Sequence, residues 1–274
     1  MPRPTRYLIG GLATSMLLAG GCGGGGGGGD DTAPIDADTS GPDAEPTPYG
    51  CIGHAYPTTA PASIVVGGHA NEISTNGQTP LGAVALTVSD TADAQLGSTT
   101  SDAATDVGAY EFTLDTGGAP IDGYLKGTHN GYKDTYVYPP SPLANDQGAV
   151  PVLMVSTTVY PFLPVLAGAT QDASHGFVGV IVVDCLGQPV AGASVTSPDA
   201  GAVRYVVGTG VGDDTVTVTD ESGIALLFNV TAGAAITVDA STPDHDFDEH
   251  AIKVRADVVT TTVVAPGPIP GLAP

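Results

Sequence analysis

The sequence predicts an all-β protein, two tandem Greek-key β-sandwiches after a disordered tether. Three observations carry that prediction. Ala, Val, Thr and Gly dominate, while 39 Gly and 23 Pro punctuate the chain. β-Branched residues broken by frequent Gly, Pro and Asp read as short strands and turns. A pattern also recurs: Gly77-Gln78-Thr79-Pro80-Leu81-Gly82-Ala83-Val84-Ala85 aligns without gaps on Gly187-Gln188-Pro189-Val190-Ala191-Gly192-Ala193-Ser194-Val195. Only the Pro is displaced, by one position, as expected of two copies of one unit. Lastly, an unbroken glycine run at residues 23–29 leads into a stretch of Asp, Pro and Glu. That composition has too little apolar surface to offset its ordering entropy.

Residues 1–21 read as an export signal. Arg3 and Arg6 precede an apolar run too short for a membrane span, and small residues end it before Cys22. Leu17-Leu18-Ala19-Gly20-Gly21-Cys22 resembles a bacterial lipobox, with Ala19 where Leu is usual. The resemblance implies cleavage before Cys22, lipidation of its thiol and acylation of its new amine, by palmitate for example. The alternative is an ordinary secretory signal with a chance Cys. Residues 22–58 form the tether, holding the folded part off a membrane. Gly23, not Asp, follows Cys22, which fits delivery to an outer membrane.

Charge narrows the partners. Beyond Cys22 only Lys126, Lys133, Arg204, Lys253 and Arg255 stand against 29 Asp and Glu. Phosphate backbones and anionic bilayers repel such a chain, so no nucleic-acid partner is expected, and membrane attachment falls to the lipid. With Cys22 lipidated, Cys51 and Cys185 are left as an even pair in an oxidising compartment. Two readings stay open: a Cys51–Cys185 disulfide, or two separate thiols with Cys185 filling a buried site.

The first sandwich is expected over residues 59–145. Its strands read at 63–66, 83–88, 110–114, 123–127 and 136–138, with Asn130-Gly131 as a turn. A connector follows at 146–176. Within it 151–155 is a strand or core run, and a short helix fits 159–167, with Pro161 in its first turn and Pro164 limiting its length. The second sandwich is expected over 177–266, with strands at 177–183, 194–196, 203–207, 215–218, 224–228, 235–240, 251–254 and 258–264. Residues 267–274 read as a loose, Pro-rich tail.

Val183-Asp184, Gly187-Gln188-Pro189-Val190-Ala191-Gly192-Ala193, the turn Thr219-Asp220-Glu221-Ser222-Gly223 and Asn229-Val230-Thr231-Ala232-Gly233 resemble the carboxypeptidase regulatory-like family. The first half looks like a more divergent copy. The resemblance implies a transthyretin-like (prealbumin-like) sandwich and a non-catalytic accessory or binding module.

Candidate sites are few. Tyr124, Tyr132, Tyr136 and Tyr138, with His129, Lys126 and Lys133 nearby, could stack on a sugar or hold a peptide. On one strand Tyr132, Tyr136 and Tyr138 would share a face. The competing reading is a core stripe with hydroxyls at its rim. Asp246, Asp248 and His250, in an acid-rich run from Asp244, are candidate ligands for Ca²⁺ or a transition metal. Yet His245 and His250 would point to opposite faces of a strand, and a solvated turn explains the run as well. Asp213-Asp214 and Asp220-Glu221 read first as turn residues. No nucleophile elbow, zinc-protease helix or phosphate-binding loop occurs. Catalysis is not expected, nor any cofactor besides that candidate Ca²⁺. The sequence thus points to a lipid-anchored cell-envelope module binding a polysaccharide, a peptide or an envelope protein. The alternatives are an accessory docking subunit of a surface enzyme or secretion complex, and an unrecognised metal-dependent enzyme.

Overall fold

The computed structural model describes residues 47–74 and 77–269. The export signal, Cys22, most of the tether and residues 270–274 lie outside the described residues. The described chain is almost entirely β. Its first half holds β1 (Ser63–Ser74), β2 (Gly77–Pro80), β3 (Ala85–Asp90), β4 (Gln95–Thr100), β5 (Ala109–Asp115), β6 (Gly123–Thr128), β7 (Thr135–Tyr138) and β8 (Gln147–Val155). A short helix, α1 (Phe162–Leu166), lies in the connector. The second half holds β9 (Gly176–Val182), β10 (Ser194–Thr196), β11 (Ala202–Val207), β12 (Gly210–Val211), β13 (Ile224–Val230), β14 (Ala235–Ser241), β15 (His250–Lys253) and β16 (Val259–Val264).

The internal repeat is visible in the hydrogen bonds. In the first half β1 pairs antiparallel with β5 and parallel with β8; in the second β9 pairs antiparallel with β13 and parallel with β16. The loop ahead of β3 is tied by Ser101, whose Oγ accepts from Val84 N (3.0 Å) and donates to Leu81 O (3.0 Å). Thr219 does the same ahead of β10: its Oγ1 accepts from Ala193 N (3.0 Å) and donates to Val190 O (2.7 Å). Behind them Leu81 N donates to Ala70 O, and Val190 N to Val182 O. Gly108 and Gly223 take positive φ in the two copies, and both positions require glycine: a Cβ at either would strike a carbonyl oxygen, of Ala70 or Val182, and crowd Pro80 or Pro189. These contacts correct the ungapped alignment by one residue. Pro80 and Pro189 coincide, Leu81 matches Val190, and Ala83 (φ 60°) occupies the left-handed position that Gly192 (φ 78°) fills in the second copy.

The two sandwiches share a sheet. A nine-stranded sheet runs β12-β11-β13-β9-β16-β7-β6-β3-β4, and the parallel β16–β7 ladder joins the halves. In-register neighbours share a face, so Tyr136, Thr260 and Val178 line one side, and Val137, Thr261 and Gly179 the other. The core under β1, β5 and β8 takes Leu125 and Val137 from the second side. The core under β10, β14 and β15 takes Tyr124, Tyr136, Tyr138 and Val178 from the first. The covering sheets therefore lie on opposite faces of the shared sheet, and β6 and β7 serve both cores.

Several boundaries differ from the sequence reading. Residues 215–218 are irregular, not a strand: the Asp213 carboxylate accepts from Thr215 N and Oγ1 and ties the chain into a turn there. The helix is five residues long. The polar strands β2, β4 and β12 carry no alternation that would have marked them. Residues 47–58 of the tether and 267–269 of the tail are packed on the body. Cys51 and Cys185 form a disulfide (Cα–Cα 5.5 Å), Cys185 N donates to Pro48 O, and Tyr49 stacks on His245 at 3.8 Å. Gly267 packs on Cys51, and Ile269 is buried with Val183 and Ala265. The chain thus enters and leaves the described body at one pole.

Candidate functional site

Most of the tyrosine candidates meet at the junction of the halves, around Arg255. Tyr124 comes from β6 and Tyr136 and Tyr138 from β7, all pointing into the second core. Arg255 follows β15 and lays its guanidinium over two of these rings, 4.5 Å from the Tyr124 centroid and 4.1 Å from that of Tyr136. Its Nη1 donates to Tyr138 Oη and to Lys253 O, both at 3.2 Å. Its Nη2 pairs with Asp93 Oδ1 at 2.5 Å, and Lys253 Nζ pairs with Asp93 Oδ2 at 2.5 Å. Asp93 sits at φ 67° in the tight turn between β3 and β4, which Asp tolerates better than most residues. Tyr124 Oη donates to the same carboxylate at 2.8 Å, and Tyr138 Oη donates to Lys253 O at 3.0 Å.

The electrostatics follow from those contacts. The hydrogen bonds from Lys253 and Tyr124, with the nearby Arg255 charge, hold the Asp93 carboxyl down to about 2. Burial, reinforced by Asp93, raises Tyr124, and burial raises Tyr138 against the pull of Arg255. The phenols are therefore donors at neutral pH, Asp93 is an anion, and each partner is already used. A planar cation between two rings fills the space a sugar ring would need. This cluster closes the seam between the halves; it does not present an open aromatic face.

Tyr132 lies elsewhere. Strand β7 begins only at Thr135, so the expected shared parity breaks, and Tyr132 bridges to Ser156 with its ring edge on His129 (5.1 Å). Lys126 pairs with Asp134 (2.7 Å), and Lys133 with Asp257 (2.6 Å) above the Tyr160 ring. Arg204 donates to the carbonyls of Ala167 and Gly168. Every Lys and Arg downstream of Cys22 is thus engaged within the protein.

Asp246 and Asp248, in the acidic run, have partners within the protein. Asp246 bridges to Ser241 in the backbone, and the Asp248 carboxylate accepts from Tyr56 Oη. His250 opens β15, opposite Val238. Among the described residues no group of three or more His, Cys, Asp or Glu is placed to hold a metal ion. Asp220 accepts from Ser222 N, Ser222 Oγ and Gly208 N, which makes it a turn residue, like Asp213. The residue that sequence reasoning missed is Arg255. Its signal was there: one Arg at the end of a strand, in a chain that keeps very few cations.

No family model matches the chain, and no curated protein matches it. Several solved structures show similarity at low identity, three of them as follows. The Bacillus anthracis TIE protein is 14% identical over 74% of this chain and 34% of its own, with a TM-score of 0.23. A streptococcal ancillary pilin is 14% identical over 74% and 62%, with a TM-score of 0.22. A minor pilin of Streptococcus agalactiae is 12% identical over 74% and 94%, with a TM-score of 0.21. The chain spans about a third of the first of these and under two thirds of the second.

Proposed function

We propose that the protein is a non-catalytic module of a cell envelope, anchored through lipid on Cys22, whose sandwiches are transthyretin-like copies of the carboxypeptidase regulatory-like type. One observation carries this reading. The disulfide and the packed ends of tether and tail gather both ends of the described body at a single pole, the arrangement expected of a body held at one end and presented at the other. The self-satisfied Arg255 cluster favours protein docking over sugar recognition, because the tyrosines a glycan would stack on are inside the seam.

Two measurements test the reading. Cells expressing the full chain should incorporate labelled palmitate, and Cys22→Ser should abolish it; labelling that survives the substitution refutes the anchor. The detergent-solubilised full chain should ignore peptidoglycan and insoluble polysaccharides, with and without Ca²⁺. Retention on a polysaccharide that competes with free oligosaccharide would restore the glycan-binding alternative.

A further inference from the structure

The turn between β6 and β7 presents Asn130-Gly131 to solvent, both residues exposed. Tyr132 N donates to His129 O at 3.1 Å and closes the turn, with Gly131 at φ 85° and nothing within 4 Å of where its Cβ would stand. Neither the Asn130 side-chain amide nor the Gly131 N–H has a hydrogen-bond partner among the described residues. These are the two groups that meet when an asparagine cyclises. The main-chain nitrogen of the next residue attacks the side-chain carbonyl carbon, and only glycine leaves that nitrogen without a side chain to shield it.

His129 bears on the same peptide unit. Its Nδ1 lies 2.9 Å from Asn130 O, and since a carbonyl oxygen only accepts, the imidazole donates. That oxygen and the Gly131 nitrogen belong to one amide. A hydrogen bond to the oxygen draws charge from the nitrogen and eases loss of its proton, the step that makes it a nucleophile. The His129 ring sits edge-on against Tyr132 at 5.1 Å, which keeps the donor in place. The other described asparagines lack this combination. Asn229 Oδ1 accepts from Asp172 N at 2.6 Å, its Nδ2 donates to Thr170 Oγ1 at 3.1 Å, and Val230 follows it. Asn71 and Asn145 precede Glu72 and Asp146.

We propose that Asn130-Gly131 is a self-modifying site at which His129 promotes ring closure. Gly131 N gives up its proton and bonds to Asn130 Cγ; the Cγ–Nδ2 bond breaks, and the side-chain nitrogen takes up a proton in exchange and leaves as ammonia. Water then opens the succinimide, leaving aspartate or isoaspartate at position 130 and one more negative charge. The isoaspartyl product adds a carbon to the main chain beside Gly131 O, which accepts from Thr157 N (2.9 Å) and Thr157 Oγ1 (3.1 Å). The change therefore loosens the tie between this turn and the chain just past β8, and it accumulates with the age of the molecule. The proposal does not rest on the envelope reading.

The test incubates the detergent-solubilised full chain at mildly alkaline pH and follows position 130 by peptide mapping, with electron-transfer fragmentation separating aspartate from isoaspartate. Asn130 should convert ahead of Asn71, Asn145 and Asn229. His129→Phe, which keeps a ring against Tyr132, should slow conversion by roughly three- to tenfold, the worth of one hydrogen bond to the developing charge. His129→Asn, which puts a side-chain N–H near the place of Nδ1, should recover part of the rate. In urea, where the turn is gone, the wild type and His129→Phe should react alike. An Asn130 that stays intact, equal native rates in the wild type and His129→Phe, or a difference that persists in urea overturns the proposal. Hydrogen exchange of the Thr157 amide should rise in the converted protein; unchanged protection there rejects the loosening.

Discussion

Replacing Cys51 and Cys185 by Ser removes a crosslink that spans 134 residues of sequence. In the chain-entropy description, closing a loop of that size restricts the unfolded chain by about 5 kcal/mol at 25 °C. That figure is a ceiling, because an unfolded chain already partly compact has less entropy to lose. The loop encloses the whole first sandwich, so the crosslink should act on global unfolding and not only on the segment it touches. What otherwise holds residues 47–58 is slight: the Tyr49–His245 stack, the bond from Cys185 N to Pro48 O, and the bond from Tyr56 to Asp248. The assay is urea denaturation followed by far-UV circular dichroism and tyrosine fluorescence, since the chain has no Trp. The oxidised protein is compared with the double Ser variant, and a loss of roughly 3–5 kcal/mol is expected. A loss below about 1 kcal/mol, with hydrogen exchange accelerated only in residues 47–62, would show that the disulfide fastens the strap alone and would refute the global argument.

Other outcomes follow from the seam and the repeat. Arg255→Met should cost about 2–3 kcal/mol in urea titration, because two ring contacts and three hydrogen bonds go at once; Arg255→Lys should fail to restore it, lacking a planar fork. Asp93 has a folded-state value depressed to about 2, so its contribution is complete above the ordinary carboxyl range and fades as pH falls from about 4 towards 2. The gap in urea midpoint between the wild type and Asp93→Asn should close over that window, and a gap that stays constant rejects the ion-pair account. Ala83→Gly should raise stability by about 0.5–1 kcal/mol by relieving a left-handed residue, with Gly192→Ala lowering it by a similar amount. Thr219→Val should cost about 1–3 kcal/mol by orphaning Ala193 N–H and Val190 C=O; a neutral effect would mean that the hydroxyl does not tie the loop.

Much of the β architecture is legible in the chain because half-buried strands announce themselves by alternation. Residues 110–114 alternate strictly and become β5; the Gly-Gln-Pro pattern marks a real repeat. Its register was misjudged by one residue, because matching letters favour Gly-Gln over Pro, whereas the fold requires the Pro, the following acceptor and a positive φ to coincide. The tyrosine stripe was open to two readings because parity does not say which face is covered; here β6 and β7 are covered on both. The parity argument at Tyr132 failed because residues 133 and 134 are not strand. Strand β4, Gln95-Leu96-Gly97-Ser98-Thr99-Thr100, was missed because an edge strand needs no apolar face. The docking of residues 47–58 on the second half was illegible, since a contact across 134 residues leaves no local trace.

The ladder between β16 and β7 has a further property. It joins unlike parts of like units, since the counterpart of β16 in the first copy is β8, and the counterpart of β7 in the second is β15. A joint of that kind is head-to-tail, and in principle it can be repeated without end, each unit offering the next the edge it was itself offered. Within this chain the series stops after one joint. Pro151 leaves β8 with a position that has no N–H to donate, β15 is four residues long, and the excess of carboxylates opposes the approach of another such chain. Growth by duplicating a unit inside the gene would meet none of the charge barrier that faces growth by adding molecules. The geometry of the joint suits lengthening within one chain, while the charge opposes assembly between separate chains.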